Sequence, residues 1–202
     1  MWLADLSMSL RSLACMAYPV AAGQDFACPN LVLMPMCCSC RVDPVALSTP
    51  SLAITCAARE ALHQADVVET MLRGMLPVIR HNDLALAEPL RNMDDTVDEL
   101  YSAIKFYLTQ ISREALSDRE SRRWTDIVSF TINMEQIGDI IERVLQDVED
   151  KKIRKNRSFS DAGMAEIVYL HERLMANLRL GMSVFLDGRV VDAKRLLEQK
   201  AH

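Results

Sequence analysis

The sequence is poor in the residues that build turns and flat sheets. Only six of its 202 residues are glycine, and aromatic residues make up 5% of the chain. β-Sheet proteins depend on frequent glycine turns and on aromatic or β-branched strands, so this scarcity excludes a turn-rich β fold. Half of the residues are hydrophobic, which is enough for one ordinary domain core. The composition therefore favours an all-α protein.

An excess of positive charge is also missing. The formal net charge is −5 and the sequence pI is about 5.4. Nucleic-acid binding proteins need a basic face, so we expect no nucleic-acid partner. The basic run at 151–157 is predicted to end a helix, where cations suit the negative end of the helix dipole.

The first fifty residues have few charges and differ in composition from the rest. They hold five of the six cysteines and five of the seven prolines. No apolar run of about 18 residues escapes a proline or a charge, so a membrane span is not predicted there. Asp5 precedes the first basic residue, Arg11, which argues against a secretory signal. Cys37, Cys38 and Cys40 have no second Cys/His pair at zinc-site spacing. We expect residues 1–48 to be a disordered or non-native head.

From Thr49 onward, apolar residues recur at the three- and four-residue spacing of amphipathic helices. Pro77 and the polar run at 81–83 are expected to end the first helix, and Ser117 with Glu120 forms a capping box. Five helices are predicted, beginning after Thr49, near Pro89, at Ser117, at Ser160 and near Arg189. Since short turns imply antiparallel neighbours, residues 49–157 should form a three-helix bundle. Residues 158–202 are expected to be the first helices of a second, truncated bundle.

Acidic residues follow the apolar stripe of each of the first three helices by one position. Within a helix, i, i+4 carboxylates lie about 6 Å apart on one face. In an antiparallel hairpin, residues at the same height have numbers that add to a constant. If helices two and three form such a hairpin, Asp98 faces Glu135 and Asp94 faces Asp139, because the two pairs have the same sum. The same construction places acids of helix one at this level. The predicted acidic layer contains Asp66, Glu69, Asp94, Asp98, Glu135 and Asp139.

A layer of like charges at the rim of a helix seam needs compensation, and cations with oxygen ligands would provide it. The other interpretation is that these acids are solvated and aligned by accident. Gly138 favours the metal interpretation, because a mid-helix glycine costs about 1 kcal/mol and suggests a close approach of another group. Glu60 and His63 form a single Glu-x-x-His motif, whereas di-iron bundles need two. No hydrolase or phosphate-loop motif is present, so no enzyme activity is expected.

Several strings of this sequence resemble the PhoU-type phosphate-uptake regulators. The segments 94–98 and 135–139 are similar to the family's E/D-x-x-x-D signature. The strings at 98–109, 133–143 and 159–167 resemble more closely the cytoplasmic PhoU-like tail of bacterial sodium/phosphate cotransporters of the type II-related kind. The resemblance covers about residues 42–202. Residues 1–41 do not resemble the membrane segment that would precede the tail.

This resemblance implies a metal-binding regulatory domain that controls phosphate uptake by a sodium-dependent transporter. It implies a multinuclear divalent or ferric cluster (Fe, Mn, Mg or Zn) held by the acidic pairs, which could present a positive point to phosphate. It further implies a location at the cytoplasmic face of the bacterial inner membrane, with the transporter's membrane domain as partner. A homodimer is compatible with these features. The alternative is a metal-free helical domain for protein–protein interaction.

Overall fold

A computed structural model describes residues 44–112 and 115–198. A short 3-10 helix, Pro44–Ser48, precedes five α-helices. These are α1 (Pro50–His81), α2 (Leu84–Ile111), α3 (Asp118–Val148), α4 (Asp161–Asp187) and α5 (Val190–Glu198), with a π-helical turn, Glu149–Ile153, after α3. The described residues contain no strand, and the all-α prediction is confirmed. The predicted head lies outside the described residues, apart from its last five positions.

The first helix continues through Pro77 to His81. A proline inside a helix removes one backbone hydrogen bond, so tertiary contacts must hold the last turn together. Val78 and Ile79 are buried in this turn. Asn82 then takes a left-handed conformation, with φ 57°, and its N–H donates to the carbonyl of Val78. The polar run at 81–83, rather than the proline, therefore ends α1.

The other helix starts follow the capping chemistry of the sequence. Asp83 accepts a hydrogen bond from the Leu86 N–H at the start of α2, so Pro89 lies within the second turn of a longer helix. Ser117 and Glu120 form the predicted capping box of α3. Ser160 accepts from the Gly163 N–H and opens α4. These caps satisfy N–H groups that have no partner within the helix.

The first three helices pack around one hydrophobic core. Because α1 and α3 are each antiparallel to α2, they run parallel to each other and end at the same side of the bundle. Lys152, just after α3, fastens this end: its Nζ donates to the Ile79 carbonyl over 2.8 Å and to the Asn82 side chain. A lysine in such a position places a positive charge at the negative end of the α1 dipole.

The fourth helix lies in the groove between α1 and α3. His171 is hydrogen-bonded through Nε2 to the Leu72 carbonyl of α1 at 2.8 Å. Near the other end of α4, Phe185 stacks on Phe130 of α3, and Arg123 donates to the Phe185 carbonyl. Leu174, Met175, Leu178 and Phe185 belong to the same core cluster as the first three helices. The prediction that 158–202 begin a second bundle stays a prediction.

Candidate metal centre

Two pairs of carboxylates meet across the seam between α2 and α3. Asp94 and Asp98 are one turn apart on α2, and Glu135 and Asp139 are one turn apart on α3. One carboxylate oxygen each from Asp98, Glu135 and Asp139 lies within 4.8 Å of the others. The antiparallel register expected from the residue numbers is thus the register that the structure shows for this hairpin.

Asp94 is a partly buried member of this group. Its Oδ1 is buried and has no hydrogen-bond partner among the described residues. Desolvation, followed by the charges of Asp139, Asp98, Glu142 and Asp95, raises the pKa of Asp94 to about 7. Burial, followed by the charges of Asp139 and Asp98, also raises the pKa of Glu135, and the Lys105 charge partly offsets this rise. Ionisation of all four carboxylates is therefore unfavourable unless a positive charge is bound among them.

Gly138 provides the space in which the Asp94 carboxylate lies. A Cβ at position 138 would lie 2.7 Å from Asp94 Oδ1 and 3.3 Å from Val97 Cγ1. The first distance is too short for any real pair of such atoms. The sequence suggested that another group approaches Gly138 closely. In the structure this group is the Asp94 carboxylate, together with Val97 of the neighbouring helix, so Gly138 belongs to the site.

The two acids predicted on α1 do not join this group. Glu69 forms ion pairs with Arg73 and with Arg179 of α4, the latter at 2.9 Å. Burial raises the pKa of Glu69, but the hydrogen bonds and charges of Arg179 and then Arg73 outweigh this effect, so that pKa lies below its ordinary value. Asp66 is exposed as a whole residue, but partial desolvation of its carboxylate raises its pKa. The charge of His63 lowers this pKa, and the charge of Glu69 raises it.

The handedness of the α-helix explains this separation. The residue after a core position is rotated by about 100° in the same sense on every helix. On α2 and α3, which are antiparallel, these rotations converge on their shared groove. On α1, which is parallel to α3, the rotation points into the α1/α3 groove, and α4 fills that groove. Equal sums of residue numbers predict that two acids lie at the same height along the bundle. They do not predict which groove each acid faces, because that depends on its direction around its own helix.

A buried glutamine, which the apolar stripe concealed, lies next to the acidic site. Gln64 of α1 is fully buried, and its Nε2 lies 3.3 Å from the Thr131 carbonyl and 3.5 Å from the Val97 carbonyl. The Thr131 hydroxyl donates to the Gln64 Oε1. Val97 precedes Asp98, and Thr131 lies one turn before Glu135. Gln64 thus contacts both helices that carry the acids. In the sequence, Gln64 could have been recognised as a polar residue at a core position of α1, between Ala61 and Val68.

The donor set suits a hard cation. Hard divalent ions such as Mg²⁺ lie about 2.1 Å from each carboxylate oxygen that binds them. One oxygen each from Asp98, Glu135 and Asp139 lies within 4.8 Å of the others, so small side-chain movements would let the three converge on one such ion. The Asp94 Oδ1, which has no partner in the described part of the chain, is a further oxygen at the same seam. The residues present therefore fit the metal that the resemblance implies.

Comparisons with known proteins support the resemblance over this region. Residues 62–148 match the PhoU domain, and this range covers all of α2 and α3 and most of α1. The chain is 42% identical over 159 residues to proteins of Escherichia coli, Shigella flexneri and Salmonella typhimurium, each named "Putative inorganic phosphate export protein YjbB". The aligned part is 79% of this chain and 29% of each relative. No solved structure matches the chain.

The α1–α3 bundle is therefore similar to the PhoU domain over residues 62–148, and the chain spans less than a third of the length of the relatives it matches. No helix within 44–112 or 115–198 has the length and apolarity needed to cross a membrane.

Proposed function

We propose that this chain is a non-enzymatic regulatory module that binds a cluster of metal ions between α2 and α3 and controls phosphate movement through a membrane transporter. The observation that carries the proposal is the carboxylate group of Asp98, Glu135 and Asp139, with the unpartnered Asp94 Oδ1 beside it. The PhoU match and the relatives named for phosphate export support the link to phosphate.

The residues of the site have distinct parts in this proposal. Asp94, Asp98, Glu135 and Asp139 would hold divalent or ferric ions, and Fe, Mn, Mg and Zn all remain candidates. Bound metal would neutralise the acidic layer and offer a positive point to phosphate. Gln64 and Gly138 position the acids. Glu69 is engaged by Arg179 and Asp66 faces solvent, so we assign both to the α4 side rather than to the cluster.

The relatives' name speaks of phosphate export, whereas the resemblance implies restraint of uptake. We therefore propose that the partner is a transporter domain of the same family and that the chain lies at the cytoplasmic face of the inner membrane. The direction of phosphate transport is not part of this proposal. Sodium dependence remains a prediction from the resemblance.

Elemental analysis of the purified full chain tests the metal proposal directly. After reconstitution with each of the four metals and removal of free ion, we expect stoichiometric metal on the wild type and a higher melting temperature. The double variant Asp98→Asn/Asp139→Asn should lose both effects, because half of the donor set becomes neutral.

The double variant Asp66→Asn/Glu69→Gln is the matched control, since it removes the same amount of negative charge from the α1/α4 groove. It should retain the metal. Equal metal loss from both double variants would show nonspecific charge binding. A wild type that holds none of the four metals and melts unchanged would favour the metal-free interaction domain.

Gly138→Ala probes the shape of the site without changing its charge. The new methyl group would displace the Asp94 carboxylate, so we expect weaker metal retention. The free energy of unfolding should change by less than about 1 kcal/mol, because the higher helix propensity of alanine offsets the displacement. Gly163→Ala, near the start of α4, is the control and should retain the metal. Unchanged metal retention by Gly138→Ala would argue against Asp94 as a ligand.

A further inference from the structure

The end of the bundle where α1 and α3 stop carries a group of cations that the metal site does not use. Lys152 joins three segments there. Its Nζ contacts the Ile79 carbonyl and the Asn82 side chain, and it lies 5.5 Å from the centroid of the Phe159 ring. The end of α1, the turn between α1 and α2, and the segment before α4 are therefore neighbours.

The backbone of this basic segment is a defined turn. The Arg154 N–H donates to the Glu149 carbonyl and the Arg157 N–H donates to the Lys152 carbonyl, each over 2.9 Å. Asn156 reverses the chain in a left-handed conformation with φ 49°. The cations of 151–157 are thus presented by a hydrogen-bonded turn at a fixed place in the fold.

Most acids at this end are already engaged. Asp147 pairs with Lys151 over 2.7 Å, and Glu149 and Asp150 pair with Arg154 over 2.7 and 3.2 Å. Asp83 caps α2, and Asp161 lies in the first turn of α4. Three exposed cations have no ion pair within the described ranges, and we call them, together with Leu84 and Phe159, the basic end: Arg80, Lys155 and Arg157.

Two exposed apolar side chains belong to the same chain segments as these cations. Leu84 and Phe159 are each 43% exposed, although both are large enough to stabilise a core if buried. Cations around exposed apolar side chains match the surface of an anionic membrane, where headgroups attract the charge and the acyl boundary accepts the apolar groups. A purely ionic partner would leave Leu84 and Phe159 in water, and the overall charge of −5 disfavours nucleic acid.

The acidic site does not prevent this contact. Asp94 follows Leu84 by ten residues on the same helix, which corresponds to about 15 Å along its axis. The Debye length in physiological salt is about 8 Å, so repulsion between the carboxylates and lipid headgroups is largely screened. With this end on the membrane, the α2/α3 seam faces sideways and stays accessible to ions.

We propose that the basic end binds the surface of an anionic membrane, with Arg80, Lys155 and Arg157 on lipid phosphates and Leu84 and Phe159 at the acyl boundary. This inference rests on the proposed role beside a membrane transporter and is independent of the metal site.

Co-sedimentation of the full chain with lipid vesicles tests the proposal. We expect binding to phosphatidylcholine vesicles that contain phosphatidylglycerol, and much weaker binding to phosphatidylcholine alone. The triple variant Arg80→Gln/Lys155→Gln/Arg157→Gln should lower the partition coefficient on the order of 100-fold, because each cation near an anionic surface contributes about fivefold. Leu84→Ser/Phe159→Ser should weaken binding while leaving its salt dependence in place.

The matched control is Arg59→Gln/Arg122→Gln/Lys194→Gln, which removes three exposed cations away from this end. All variants share residues 1–43, so binding through that segment would be unaffected by either triple substitution. Equal losses in both triple variants, equal binding to both vesicle types, or binding to polyglutamate without vesicle binding would overturn the proposal. Asp98→Asn/Asp139→Asn should bind vesicles like the wild type, which separates a failure here from a failure of the metal proposal. Circular dichroism of every variant establishes that it is folded.

Discussion

Gln64→Ala is expected to lower the free energy of unfolding by about 3 kcal/mol, because it opens a cavity and removes the acceptor of a buried hydroxyl. Gln64 is fully buried, and its Oε1 accepts the hydrogen bond of Thr131. Urea unfolding of the full chain, followed by circular dichroism, measures the loss. Gln64→Leu restores most of the volume without the hydrogen bonds, so it should lose less than Gln64→Ala.

Gln136→Ala is the matched control, since Gln136 is an exposed glutamine beside the acidic pair of α3. Its substitution should change the free energy of unfolding by less than about 0.5 kcal/mol. A Gln64→Ala variant as stable as the wild type would show that the three helices keep their packing without this residue. It would also remove the positioning role that we assign to it.

Asp94→Asn is expected to stabilise the metal-free protein, and to do so more strongly as the pH rises. The pKa of Asp94 is about 7 in the fold, above its ordinary value of 3.8. Between these values the unfolded chain is ionised while the folded carboxyl holds its proton, so the wild type loses stability as pH increases from about 4 to about 7. The full shift would correspond to about 4 kcal/mol, and solvent screening at this half-buried position reduces our expectation to about 2 kcal/mol.

Urea unfolding of wild type and variant in chelator, at pH 4 and at pH 8, measures this effect. The difference between them should be near zero at pH 4 and about 2 kcal/mol in favour of Asp94→Asn at pH 8. Asp95→Asn, at the exposed neighbouring position, should show much smaller growth, because the Asp95 charge is the smallest of the effects that raise the pKa of Asp94. A stability difference that is the same at both pH values would contradict the raised pKa of Asp94.

The sequence predicted the grouping of the acids correctly for α2 and α3 but not for α1. The α2/α3 hairpin has a short turn between two strongly periodic helices, so residue numbers alone placed Asp98, Glu135 and Asp139 together. The α1 acids were placed at the same height, but Glu69 contacts Arg179 because its direction around α1 leads to the α4 groove. Gln64 was overlooked because a long polar side chain in an apolar stripe gives no periodic signal of its own.

The sequence by itself determined the helices, the caps at Ser117 and Ser160 and the level of the acidic layer, because these depend on local spacing and on one short connection. For the end of α1 it named both Pro77 and the polar run 81–83, and the structure carries the helix through Pro77 to His81. Only the tertiary structure decided which groove each acid faces, since α4 occupies the space beside α1 and leaves the α2/α3 seam open. It alone joined Lys152 to Ile79 and so assembled the basic end from segments about seventy residues apart. Rotation around a helix and contact between distant segments are properties of packing, and residue spacing along the chain does not specify them.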